Sequence, residues 1–400
     1  MKTKILFVYP DMMIGGSTTA MLSLMNQMDM KQFSIDVLLY NNDGPLFNEI
    51  PRNVSILPQA FVGKTGRQSS ILKVIVTVLN GQLVKWGYCL FRYARNHRIS
   101  PRMALASLSV PSQVFWSRTL KKEYDIAIGF MEFWSDAYVA SHKIRARKKI
   151  GWIHPDYSSA GFFAEGDYYY LKKLDRIVVV SENNKKNLSS VYPEFAGKIR
   201  CIENILPCDM IMRKSKELID FHKEADHIYI VTICRIDYAS KGLDRAIHAL
   251  TLLKNEKLLK NIKWVIIGDG NDMERLKSDI SIAGLNEYIL PLGAKVNPYP
   301  YLKHMDIFLL PSRYEGRPVV IEEALLLGVP CIVTHYSSAS EQVTEGVNGY
   351  ILNNDEESIY LGLKDILLNR GRIEKIRQGA QNTHCDEEVK YHQFLAMIEE

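Results

Sequence analysis

The 400-residue sequence predicts two doubly wound α/β domains, each built on a parallel sheet. Three observations carry that expectation. The length exceeds what one ordinary hydrophobic core supports. Short apolar runs alternate with helix-compatible stretches, the order that gives parallel strands joined by crossover helices. The alternation then restarts near residue 227, after the polar stretch CDMIMRKSKELIDFHKEAD, which marks a join at about 206–226.

In the first half, KILFVYP, FSIDVLLY, YDIAIGF, KKIGWIH and RIVVVS read as strands. MKTKILFVYP is charged and then apolar, like the start of a signal peptide. It lacks a cleavage site and runs into the Gly15-Gly16 turn, so it reads as the first strand. In the second half, IYIVTICRI, KWVIIGDG, YILPLG, DIFLLPS, PCIVTHY and NGYIL read as strands, with helices at 241–256, 272–283, 318–327 and 355–369. The expected domains are therefore 1–205 and 206–375. In open sheets of this kind ligands lie beyond the carboxyl ends of the strands, and the informative residues fall there.

A composition of 47% apolar and 24% charged residues suits a globular protein. No apolar run approaches the ~18 residues that cross a bilayer. The nearest, Ile71 to Leu79, is short and contains Lys73. Six scattered cysteines without a C-x-x-C pair point to a reducing cytosol, with neither a disulfide framework nor a zinc site. The histidines fall outside any H-E-x-x-H pattern, and no D-x-D triplet is present to hold a divalent metal, so a metal-independent site with no cofactor is expected.

Charge is uneven. Residues 51–122 contain no Asp or Glu and twelve Lys or Arg, a local charge of +12 inside a net charge of +5. Trp86, Tyr88, Phe91, Tyr93, Phe115 and Trp116 are interleaved with them. Basic side chains with interfacial aromatics suit an anionic membrane surface. Nucleic acid is the weaker alternative because no nucleic-acid-binding motif occurs, and an ordinary solvated basic face is the plain one.

The run PSRYEGRPVVIEEALLLG, residues 311–328, is the most informative. It sets Glu315 and Glu323 eight positions apart across a strand, turn and helix. Arg317-Pro318 reads as a helix start with proline at its first position, and Gly328 as the stop. Between the carboxylates, after Pro318, lie the unpaired N–H groups of the first helical turn, such as those of Val319 and Val320, which favour an anion. Two hydroxyl-seeking carboxylates around a phosphate seat suit a nucleotide sugar.

In ICRIDYASKGLDRAIHAL, Arg235 ends a strand and Lys241 opens the next helix, so both can aim at a pyrophosphate. The plain alternative pairs Arg235 with Asp237 or Asp244. Gly15 and Gly16, ahead of Ser17, Thr18 and Thr19, read equally as a ligand loop or a tight turn. Gly268-Asp269-Gly270 lacks the third glycine of a dinucleotide fingerprint and reads as a strand-to-helix turn near the nucleotide. His154, in WIHPDY at a strand end, is a candidate contact to sugar or phosphate. Ser181 reads first as a helix N-cap and Asn204 as a turn residue.

With these motifs the chain resembles family 4 of the retaining glycosyltransferases, of GT-B fold, and within it bacterial enzymes that build capsule, exopolysaccharide or lipopolysaccharide. The resemblance runs through the Gly15-Gly16 loop, WIHPDY, VVVSE, Arg235/Lys241, GDG, E-x7-E and NGYIL, and is most specific at E-x7-E with Arg235 and Lys241. It implies two Rossmann-like domains facing across a cleft, and a last segment, 376–400, that packs back on the first domain. It also implies that Glu315 touches donor-sugar hydroxyls, Glu323 touches the ribose, and Arg235 and Lys241 neutralise the leaving diphosphate with help from the backbone near Val319 and Val320. His154 then sits near the transferred sugar, and transfer is front-face with retention. Three departures stand out: Arg317-Pro318 replaces an aromatic residue and glycine, Cys234 replaces a glycine, and Asn204 precedes Ile-Leu-Pro.

The expected function is transfer of a sugar from a UDP- or GDP-sugar to a lipid-linked or polysaccharide acceptor, by a cytoplasmic enzyme held at the inner face of the plasma membrane. A nucleotide-sugar epimerase or phosphorylase, or a non-catalytic nucleotide-sugar-binding subunit, are the alternatives.

Overall fold

The computed structural model describes residues 2–62, 101–383 and 385–400. It divides into two compact units, Met1–Ile205 with Val389–Glu400, and Leu206–Glu388. Most of the acid-free basic span, residues 63–100, lies outside the described residues.

The first unit is a seven-stranded sheet of β1 (Thr3–Tyr9), β2 (Phe33–Leu39), β3 (Ser55–Ile56), β4 (Glu123–Gly129), β5 (Arg145–Ile153), β6 (Arg176–Val179) and β7 (Ile199–Cys201). Their order is β3-β2-β1-β4-β5-β6-β7, and every pairing is parallel. β1 is central, with Ile5 opposite Ile35 on one side and Ile126 on the other. Ile5 to Val8 are wholly buried, which is why this strand reads as a continuous apolar run rather than an alternating one. The helix Glu387–Glu399 sends Phe394, Met397 and Ile398 into the same core as Phe7, Phe130 and Trp152. Lys148 donates to the Ile398 carbonyl at 2.7 Å, and Arg176 and Arg200 both pair with Glu400. The stretch of the C-terminal segment that belongs to this unit starts at Val389; residues 376–388 stay with the second unit.

The second unit repeats the plan with six strands: β8 (Ile228–Ile233), β9 (Ile262–Ile267), β10 (Ile289–Gly293), β11 (Ile307–Leu310), β12 (Cys331–Thr334) and β13 (Gly349–Leu352). The order is β10-β9-β8-β11-β12-β13, again all parallel. Neighbouring strand residues serve opposite faces: Ile230, Trp264 and Ile266 join one core, Val231, Val265 and Ile267 the other. The helix Leu243–Asn255 buries Leu243, Ala246, Ile247, Leu250 and Leu253, a helical stripe laid on the first face.

Four expectations change. β3 and β7, of two and three residues, are too short to show a period in sequence. Lys241 does not open the long helix: it ends a one-turn helix, Tyr238–Lys241, and Gly242 (φ 63°) turns the chain before the next helix begins at Leu243. Pro318 caps the helix Val319–Leu326 instead of standing inside it. The cysteine reading needs the largest correction, because Cys208 and Cys385 are joined in a disulfide. They are 177 positions apart, so their pairing is a property of the tertiary fold that no local spacing announces.

Candidate active site

In each sheet the strand order reverses beside the central strand, between β1 and β4 and between β8 and β11. Such reversals are the usual ligand seat of open parallel sheets.

At the second reversal, Arg313 locks the loop after β11 onto the turn after β8. Its backbone N–H donates to the Ser240 carbonyl at 2.8 Å, and its guanidinium grips both oxygens of Asp244 at 2.8 and 2.7 Å. Arg245 adds a 2.7 Å bond to the Pro311 carbonyl, and a side chain at Gly242 would collide with that same oxygen. This bracing brings Lys241 and Glu315 together. The Lys241 ammonium meets Glu315 Oε1 at 2.5 Å, and the Ser312 hydroxyl donates to the same oxygen at 2.6 Å. Both charged side chains are mostly covered, at 17% and 11% exposed. Burial works against the ammonium, but the adjacent carboxylate outweighs it and holds the Lys241 pKa above its ordinary value. A buried pair of opposite charges persists because each neutralises the other.

Arg235 sits beside this pair but points to solvent: 61% exposed, it reaches Asp237 at 3.3 Å, while Asp244 is taken by Arg313. Burial pushes the pKa of the neighbouring Cys234 thiol up to about 12, which disfavours its thiolate. Gly268 (φ 149°) lies flush on the Cys234 carbonyl and Gly270 on that of Ile236; a Cβ at either would strike those oxygens. That close approach accounts for the GDG turn.

Glu323 is 8% exposed. The Tyr299 hydroxyl donates to its Oε1 at 3.1 Å, and burial pushes its carboxyl up to about 7. Val319, the first residue of the helix, is buried with Tyr299, Leu206, Cys208 and Ile211, and Val320 is half-buried. Arg317 is buried against two acids, Glu322 at 2.6 Å and Glu341 at 3.6 Å. Sequence spacing carried no signal for the Ser312, Tyr299 or Glu341 contacts, each of which joins separate elements or a turn geometry.

His154 and the glycine turn belong to the first unit. His154 Nε2 donates to the Phe130 carbonyl at 3.1 Å, so Nδ1 is left as an acceptor, and burial pulls its pKa down to about 4. Gly15 precedes the helix Gly16–Gln27, both glycines are exposed, and there is open room for a side chain at Gly15. The turn is closed instead by hydroxyls: Tyr9 meets Ser17 at 2.7 Å and Thr18 at 3.1 Å. Ser181 is an N-cap, accepting from the Asn184 N–H at 3.1 Å.

Among the described residues, the metal-ligand cluster is Cys208, Cys385 and Glu387, and both its sulfurs are in the disulfide. No helix among them is long and apolar enough to cross a membrane. Of the described basic residues in 51–122, Lys122 pairs with Asp36 at 2.7 Å and Arg118 donates to the Gln59 carbonyl at 2.7 Å.

Residues 214–383 match the model of glycosyl transferases group 1. The chain is 29% identical over 181 residues to an uncharacterized glycosyltransferase of Methanocaldococcus jannaschii, covering 44% of this chain and 43% of that protein. It is 28% identical over 212 residues to the N-acetylgalactosamine-N,N'-diacetylbacillosaminyl-diphospho-undecaprenol 4-alpha-N-acetylgalactosaminyltransferase of Campylobacter jejuni, covering 52% and 54%. The chain thus spans about half the length of these curated relatives. Anabaena HepE, solved in complex with UDP, superposes over all of both chains with a TM-score of 0.68 at 16% identity. Residues 214–383 therefore form a group 1 glycosyltransferase domain, and the chain has the GT-B fold of such enzymes.

Proposed function

We propose that the protein is a retaining glycosyltransferase that moves a sugar from a nucleoside-diphosphate donor to a lipid-linked or polysaccharide acceptor in bacterial surface-glycan synthesis. The observation that carries this is the buried Lys241–Glu315 pair at the strand reversal of the second unit, beside the start of the helix Val319–Leu326. A diphosphate seated there meets the Lys241 ammonium, the exposed Arg235 fork and the N–H groups of Val319 and Val320; Pro318 has none to give. Glu315 is then free to accept from sugar hydroxyls and Glu323 from the ribose. The charge that grows on the leaving phosphate is held by fixed cations, so the reaction needs no side-chain nucleophile and no metal. The departing phosphate takes the acceptor proton, and neutral His154, in the first unit, keeps Nδ1 as an acceptor for a sugar hydroxyl.

The relatives support the substrate classes. The Campylobacter protein is named for a diphospho-undecaprenol acceptor, and HepE was solved with UDP. Attachment to an anionic membrane through 51–122 belongs to the same proposal.

The test is a thermal-shift screen of the full chain against UDP, GDP, ADP and CMP at millimolar concentration, with and without EDTA. A rise of several degrees with one nucleoside diphosphate, unchanged by EDTA, is expected, because a ligand of the folded state stabilises it by mass action. No shift with any of them would overturn the donor reading, and a shift abolished by EDTA would overturn metal independence.

A further inference from the structure

The chain passes between its two units twice, at Ile205–Leu206 and at Glu388–Val389. Cys208 stands just after the first passage and Cys385 just before the second. Their Cα atoms are 6.4 Å apart, within the span a disulfide bridges without moving backbone. One covalent bond thus ties together both segments by which the second unit is attached. We propose that Cys208–Cys385 is a redox-sensitive staple: closed, it fixes the root of the second unit; opened by a cellular dithiol, it releases the segment that leads into the last helix.

The two sulfurs differ in access. Cys385 is exposed, whereas Cys208 is 7% exposed in a cluster with Leu206, Ile211, Tyr299 and Val319. A dithiol's thiolate attacks the Cys385 sulfur, breaking the S–S bond and expelling Cys208 as a thiolate, which takes a proton. The reductant's second thiol then attacks the mixed disulfide and releases Cys385 as a thiol. Two electrons and two protons pass from the dithiol, which leaves as its own disulfide. The exposed end swings free, and the buried end stays in the cluster without its anchor.

That cluster reaches further. Tyr299 within it donates to Glu323, and Val319 begins the helix whose N–H groups face the diphosphate in the function proposed above. Opening the staple therefore loosens the packing behind the ribose side of the site. This link rests on the nucleotide-sugar reading.

The experiment compares the full chain after diamide oxidation and after dithiothreitol. Alkylation mass should show two additional thiols in the reduced sample, mapped to Cys208 and Cys385. Hydrogen exchange in 208–214 and 381–388 should run about tenfold faster when reduced, since these amides then open locally. UDP should bind about fivefold more weakly, a coupling of ordinary size for packed neighbours. Cys385→Ser, at an exposed position, should match the reduced protein under both treatments. Cysteines that remain fully alkylatable after diamide, or exchange that is identical in the two states, would overturn the staple. Faster exchange with unchanged UDP affinity would overturn its link to the site. If UDP binds in neither state, the donor reading fails while the exchange data still judge the staple.

Discussion

The two sheets share one strand order, with the first strand of each unit flanked by its second and fourth, yet they furnish the reversal points differently. In the second unit the loops after β8 and β11 supply an ammonium, a guanidinium and a carboxylate, with the ammonium and carboxylate buried together. In the first, the end of β1 and the helix that follows supply an exposed glycine turn and a knot of hydroxyls from Tyr9, Ser17 and Thr18, while past the end of β5 stands a histidine that burial keeps neutral. Topology decides where a ligand can lie; the loop residues decide its chemistry. Under the proposed function, the charges of the second unit suit a diphosphate, and the neutral groups of the first suit hydroxyls.

The strongest way to break this contrast is Lys241→Ala. Removing a fixed cation from the leaving group should lower kcat by about 10²–10³, as loss of one oxyanion-stabilising donor does. Transfer assays with the Lys241→Ala/Glu315→Ala pair control for the stranded carboxylate. Full activity in both would refute the charged half of the comparison.

A pH titration of stability sharpens it next. Glu323 has a folded pKa near 7, against an ordinary value of 4.5. Between those values the folded chain holds a proton that the unfolded chain has lost. Stability relative to Glu323→Gln should therefore fall as pH rises from 4.5 to 7, by about 3 kcal/mol in all. Denaturation at a series of pH values measures the difference, and a flat one would mean the carboxyl is not buried as described. His154 slopes the other way. Its folded pKa is near 4 and its ordinary value 6.5, so the unfolded chain takes up the proton first as pH falls. Stability relative to His154→Gln should be complete above pH 6.5 and drain away towards pH 4.

The smallest effect expected is on the rate of that same His154→Gln variant. Losing one neutral hydrogen bond to substrate should cost about tenfold in kcat/KM, and the wild-type pH–rate profile should show no His154 titration between pH 6 and 8. An inflection near 6.5 that vanishes in the variant would put an ionising histidine in the first unit and erase the contrast.

What sequence could disclose follows from range. β1 and β8 were legible because a buried central strand is apolar throughout, and the Glu315/Glu323 spacing because eight residues of turn and helix are a local pattern. The place of Lys241 after β8 was legible, but not the one-turn helix that carries it, since Gly242 ends that helix by a backbone conformation. Tyr299 against Glu323 and Cys208 against Cys385 were invisible because each pair is formed only when distant segments fold together. β3 and β7 were too brief to have a rhythm.

The Lys241–Glu315 bond also has a bearing on selectivity. An empty site of this construction is already electrically satisfied, so an entering molecule must separate an ammonium and a carboxylate that suit each other. Under the proposed function, a nucleoside diphosphate alone would give Lys241 a new companion and leave Glu315 only the Ser312 hydroxyl. A donor that brings an anion and a sugar hydroxyl on one frame would repair both losses at once, and so should bind more tightly than the diphosphate alone.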